Sequence, residues 1–214
     1  MKKIIILFLA CTALPAAAHA LWLEQADNQT RLYFGEYDEG LHEKTGGRLD
    51  TITAPAATLL TAESAPLVTK RAADFIAVEG ANNQPVIAHD LSMKVKDLTK
   101  YHWGLAKPMY YARISHSASE NMSNHALDIQ PAGNNKVRIN LNGHSLPKAK
   151  VKIVAPNQWS KELEADDNGE VTFALPWTGL YVFEVVHLEA SVGEYQGDKY
   201  ENIRHVSTLS VVKR

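Results

Sequence analysis

Nine histidines and a single cysteine bound the chemistry open to this chain of 214 residues. The cysteine, Cys11, lies in an apolar run at the N-terminus. Beyond that run there is no thiolate ligand and no internal disulfide, so a transition-metal site has to be built from imidazole, carboxylate or Met. The best-placed imidazole is His187 in Gly179-Leu-Tyr-Val-Phe-Glu-Val-Val-His-Leu-Glu189. Side chains of a strand alternate, so Tyr181, Phe183, Val185, His187 and Glu189 share one face. Three apolar residues followed by His and Glu place a polar pair at the rim of a buried face, where a partly desolvated cation could sit. His205 opens another strand-like stretch, in phase with Ile203, Ser207, Leu209 and Val211. If this stretch pairs antiparallel with the one carrying His187, Ala190 to Arg204 becomes the connecting loop and both histidines reach the same end of a sheet. The plainer reading makes His187 a hydrogen-bonded cap of the core, Glu189 a solvated carboxylate and His205 an ordinary strand-start residue.

A further histidine stands at the other end of the chain. Lys2 and Lys3, an apolar run from Ile4 to Leu14, Pro15 and then Ala16-Ala17-Ala18-His19-Ala20 have the form of a cleaved export signal, too short for a membrane span. The small-residue rule allows cleavage after Ala18 or after Ala20. In the first case His19 becomes the N-terminus and offers an α-amine and a ring nitrogen to one metal; with a second histidine this is the T-shaped brace that suits copper. Glu24 and Glu36, each at the end of an apolar strand face, could add carboxylates beside His19, or pair with surface Lys or Arg instead. Two lysines, the small-residue junction and low charge suit the periplasm. Removing Lys2 and Lys3 with the signal carries the formal charge from −2 to −4. That mild acidity argues against a nucleic-acid partner, which needs a basic footprint.

Other chemistry is poorly supported. His42, His116, His125 and His144 lie in turn-rich or Ser/Asn-rich stretches and read as solvated. His102, between Tyr101 and Trp103, could line a pocket with Met109, Tyr110 and Tyr111, although packing is the commoner role of such clusters. Glu164, Asp166 and Asn168 imitate the start of a calcium loop, but its twelfth position is Leu175 rather than Glu. No G-x-S-x-G, H-E-x-x-H or phosphate-binding glycine loop occurs, so the chain reads as a non-enzyme.

The elements that must hold these residues read as strands. Val137, Ile139 and Leu141 alternate with polar residues before the Asn142-Gly143 turn, and Ala149, Val151 and Ile153 face away from Lys148, Lys150 and Lys152. Asp167-Asn168-Gly169, Pro176 and Gly179 punctuate the stretch leading to the His187 strand. In the first half Leu21 and Leu23, Leu32 and Phe34, Ala57 to Leu60, Phe75 to Val78 and Tyr110 to Ile114 are strand candidates. Glu39 to Asp50 reads as a long loop, and Ala88 to Lys100 as the best short helix. The spacing predicts an all-β protein of two β-sandwich domains: a signal over 1–18, an N-terminal β domain over 19–124 and a C-terminal sandwich over 125–214, with the boundary in or just after Ser115 to Asn124.

His19-Ala-Leu-Trp-Leu-Glu24, Tyr33-Phe-Gly-Glu36, Asn142-Gly143, Asp167-Asn-Gly-Glu-Val171, Pro176-Trp177-x-Gly179-x-Tyr181 and the His187 segment resemble the DUF4198 family of bacterial periplasmic proteins, over essentially the whole mature chain. That family is grouped with periplasmic components of cobalt and nickel uptake systems. The second half also resembles a Cna-B or carboxypeptidase-regulatory β-sandwich. The resemblance implies a periplasmic protein that binds a divalent transition metal (Ni or Co, with Cu, Zn or Fe as alternatives), or a metal chelate, and passes it to an inner- or outer-membrane transporter component. His19, His187 and His205 are the leading ligands, with Glu24, Glu36 and Glu189 behind them. Two rival classes are an adaptor of a membrane transporter that holds no metal, and a histidine-brace copper enzyme of oxidative activity.

Overall fold

A computed structural model describes residues 19–61, 65–117 and 125–214. The expected export signal, residues 1–18, and most of the expected domain boundary, residues 118–124, lie outside the described residues. The first half forms β1 (Ala20–Ala26), β2 (Gln29–Glu36), β3 (Leu41–His42), β4 (Ala56–Leu59), β5 (Pro66–Arg71), β6 (Ile76–Glu79), β7 (Val86–Asp90), β8 (Lys96–Asp97) and β9 (Leu105–Ile114). The second half supplies β10 (Leu127–Gly133), β11 (Lys136–Leu141), β12 (His144–Ser145), β13 (Lys150–Val154), β14 (Ser160–Glu164), β15 (Glu170–Thr172), β16 (Gly179–Tyr195) and β17 (Asp198–Lys213). The protein is all-β, as its alternation predicts.

Local sequence explains the first hairpin. Asp27 and Asn28 both take positive φ (51° and 59°), the two-residue turn that matches strand twist. The resulting register sets Leu21 opposite Phe34 and Leu23 opposite Leu32. These four residues join Ile76, Val86, Ala88, Tyr110, Ala112 and Val206 in one core. The ladder runs β1-β2-β6-β5-β4-β7-β9-β17-β16-β13-β14. Its first eight strands curl around that core until β1 meets β17, where the Thr208 hydroxyl donates to the Leu21 carbonyl at 2.6 Å.

The far face of the same sheet builds a second core. Tyr111, Val151, Tyr181, Phe183, Val185 and Leu209 pack against Leu127, Ile129, Val137, Ile139 and Val171 of a four-stranded sheet, β10-β11-β12 with β15 on β11. Alternation along β9 and β17 therefore sends Tyr110 and Val206 into one core and Tyr111 and Leu209 into the other. The two layers are tied by a buried ion pair, Arg113 Nε and Nη2 donating to the two Asp128 oxygens at 3.0 and 2.7 Å.

Three expectations need correction. Ala88 to Lys100 is not a helix: Val86–Asp90 is a strand between β4 and β9, and the rest is β8 and one 3-10 turn. Propensity yields there to a slot in which Ala88 is fully buried between two neighbours. Glu39 to Asp50 is not one open loop, because Leu41 and His42 pair with Glu36 and Gly35 and 3-10 turns flank it. Ala190 to Arg204 is not a loop either. β16 and β17 run on to Tyr195 and Asp198, closed by Gln196 and Gly197 at φ 54° and 88°. Gly193 is needed in that extension, since a Cβ there would stand 2.3 Å from the Tyr200 hydroxyl oxygen. The Tyr195 hydroxyl anchors the hairpin tip to the Ser92 carbonyl at 3.2 Å.

Candidate metal centre

The antiparallel β16 and β17 place His187 directly opposite His205. Both point to the second core, in phase with Val185 and Ser207, and Glu189 comes next on the same face of β16. Glu189 Oε2 lies 2.8 Å from His205 Nε2. On the other side of the ring, His205 Nδ1 is 3.1 Å from the Tyr111 hydroxyl, and the two rings stack at 5.9 Å. The Tyr111 hydroxyl is also 3.4 Å from Met109 Sδ. An imidazole nitrogen accepts better than a thioether, so a neutral His205 donates Nε2–H to Glu189 and accepts from Tyr111 at Nδ1.

Burial sets the protonation of this group. His205 is 1% exposed, and burial lowers its pKa, with His187 adding to the effect and Glu189 opposing it. Burial lowers His187 as well, against the pull of Glu189. Both imidazoles are neutral at neutral pH, the form that binds metals. Among the described residues no three His, Cys, Asp or Glu side chains already stand in a metal-holding arrangement. His205 and Glu189 are joined, and His187 stands beside them across one strand pair.

His19 belongs to another place. Its Nδ1 is 2.9 Å from Glu36 Oε1, its Nε2 2.5 Å from Glu43 Oε1, and Arg48 Nη1 is 3.2 Å from Nε2. The ring lies 5.3 Å from Phe34, at the end of the first core. The two carboxylates sit at opposite ring nitrogens and do not converge with the imidazole on one point. Glu24 is apart from both groups, accepting from Trp22 Nε1 at 2.8 Å. Trp22 and Tyr33, on the outer face of their hairpin, pack over Val182. Of the six candidate ligands, then, the fold gathers His187, His205 and Glu189 on one side of the shared sheet and His19 with Glu36 on the other.

Several neighbours escaped the sequence reading. His125, expected in solvent, is buried; its ring is 5.0 Å from Tyr111 and 5.6 Å from His89. Burial, with His89 and Arg113 nearby, lowers its pKa to about 3. Its parity with Leu127 and Ile129 is the signal that could have found it. His42, also expected in solvent, packs 4.3 Å from the Tyr33 ring. Tyr110 and Tyr111 do not share a pocket with His102, because they face opposite cores and His102 is exposed. His116 and His144 are exposed. No protein-family model, curated protein or solved structure matches the chain.

Proposed function

We propose that the chain is a periplasmic metal carrier, a non-enzyme that binds one divalent transition metal through His187, His205 and Glu189 and yields it to a membrane uptake system. The observation that carries this reading is the cross-strand pairing of His187 with His205, whose Nε2 lies in hydrogen-bond contact with Glu189 Oε2. A proton held between an imidazole and a carboxylate marks a place where two donors approach closely, and a metal can take the proton's place. His205 then carries its hydrogen on Nδ1, donating to the Tyr111 oxygen, while Tyr111 turns its own hydrogen toward Met109. Such an outer partner fixes the tautomer a ligand needs. Two imidazoles and one carboxylate suit Ni, Co, Cu(II), Zn or Fe better than the harder alkaline-earth ions.

Glu189 and His187 are only partly buried. That leaves one side of the site open to a receiving protein, as delivery requires. The uptake role rests on the resemblance to DUF4198 proteins, and export to the periplasm also on the signal-like form of residues 1–18. The division into a β domain over 19–124 and a Cna-B-like sandwich over 125–214 rests on strand spacing and the likeness of the second half to that fold. Equilibrium dialysis against each of these metals, with the metal counted by mass spectrometry, tests the reading. We expect about one equivalent bound tightly by the wild type. His187→Ala and His205→Ala should lose it, whereas His144→Ala, an exposed histidine, should keep it. Retention by both site variants overturns His187 and His205 as the ligands, and a wild type that takes up no metal sinks the carrier reading and favours the metal-free adaptor.

A further inference from the structure

The connection between β7 and β9 folds over the end of the first core. With His19, Phe34 and Tyr110 it lines a cavity of about 400 Å³ that opens to solvent. This size falls in the range of small-molecule sites. Its charge is one-sided. Arg48, Lys96, Lys100 and Arg204 line it, against the single carboxylate of Asp97, which is already engaged by the amide and hydroxyl of Thr99 at 3.0 and 2.5 Å.

Arg204 is the unusual member. It is 7% exposed, and its guanidinium lies 5.7 Å from the Trp103 ring and 6.0 Å from the Tyr110 ring. Among the described residues its one side-chain hydrogen bond runs from Nη1 to the Tyr110 hydroxyl at a long 3.4 Å. No carboxylate of the described residues forms an ion pair with it. Glu184 of β16, on the same face of the sheet, feels its charge, yet burial raises that carboxyl to about 7 even with Lys152 and Arg204 nearby and Asp38 and Glu36 adding to the rise. A buried arginine is ordinarily paired, because a desolvated charge without a partner is costly. Here the neighbours of the guanidinium are two aromatic faces and a hydroxyl, so an anion entering the cavity would meet a charge that no described ion pair neutralises.

We propose that this cavity binds a small organic carboxylate with a flat, unsaturated body, the carboxylate on the Arg204 guanidinium and the flat face against Trp103 and Tyr110. Planar guanidinium matches planar carboxylate in a two-point bond, and the aromatic walls exclude water from it. The site does not depend on the metal reading, since Arg204 and His205 point to opposite faces of β17.

Calorimetric titration of the full chain with benzoate tests this. Saturable binding of about one equivalent is expected, with benzamide, the uncharged isostere, at least tenfold weaker. Arg204→Gln should lose at least tenfold in benzoate affinity. Because replacing a buried arginine can disturb the fold, Trp103→Ala serves as the second arm: its melting temperature should stay near the wild type while benzoate binding weakens severalfold. His187→Ala, on the far face, should bind benzoate like the wild type, which separates failure here from failure of the metal site. Equal binding of benzoate and benzamide, or full binding by Arg204→Gln, would overturn the proposal. So would tight binding of inorganic phosphate with none of benzoate, which would make the cavity an inorganic-anion site.

Discussion

Glu184 lies on β16 across from Lys152 of β13 and Thr208 of β17, and burial raises its carboxyl to about 7. The unfolded chain ionises this group near 4.3. Its contribution to stability is therefore fully present below that pH and is lost as pH rises through about 7. Glu184→Gln removes the burden of burying the charge. Thermal melts should show this variant more stable than the wild type at pH 8.5, by about 1–3 kcal/mol, and unchanged at pH 4. Equal shifts at both pH values would contradict a buried carboxyl. The two histidines carry the opposite sign. Burial lowers both, so the stability they lend is present above about 6.5, the unfolded value, and is lost as pH falls below it. Metal affinity should take the same course. Between pH 7.5 and 6.5 two ordinary imidazoles would lose about threefold, and this site should lose less than that. A titration of affinity against pH reads the difference directly.

At the scale of elements, the layers depend on pairs that no local pattern announces. Arg113 and Asp128 are both nearly inaccessible, and the aspartate also accepts from Gln130 Nε2 at 2.8 Å. Asp128→Ala leaves a buried guanidinium with a lost partner and should cost about 3–5 kcal/mol in urea unfolding. Arg113→Met with Asp128→Leu should recover most of that loss; a double variant as weak as the single one would show the pair is not the cause. Legibility in the sequence divides along the same line. Strict alternation made β11, β13 and the His187 face of β16 legible, down to which residues enter the second core. The alternation of Leu21, Leu23, Leu32 and Phe34 did the same for the first hairpin. β9 was harder, because it is buried on both faces and so reads as a nearly continuous apolar run with an arginine inside it. β7 resembled a weak helix, and the hairpin tip beyond Ala190 resembled a loop because it carries few apolar residues and the exposed Val192 lies out of phase with the packed Tyr195. His125 was hidden by the polar residues before it.

At the scale of the molecule, β9 and β17 are the decisive elements. They pair in parallel from Ala106 with Asn202 to Ile114 with Ser210, joining residues almost a hundred positions apart. Each strand feeds both cores, so the N-terminal half borrows Val206 and the Thr208 contact with Leu21 from the end of the chain. A fragment of residues 19–124 alone should lack the strand that closes its core and give poorly dispersed NMR spectra. Sharp dispersion from that fragment would contradict a core closed by β17. The same sharing places the proposed metal ligands and the proposed carboxylate cavity on opposite faces of one strand, at His205 and Arg204. X-ray absorption of the metal-loaded protein most directly tests whether β16 and β17 make a metal centre. Two imidazoles and oxygen ligands are expected in the wild type, with one imidazole lost in His187→Ala. A spectrum without imidazole, or one unchanged in both His187→Ala and His205→Ala, would contradict that centre.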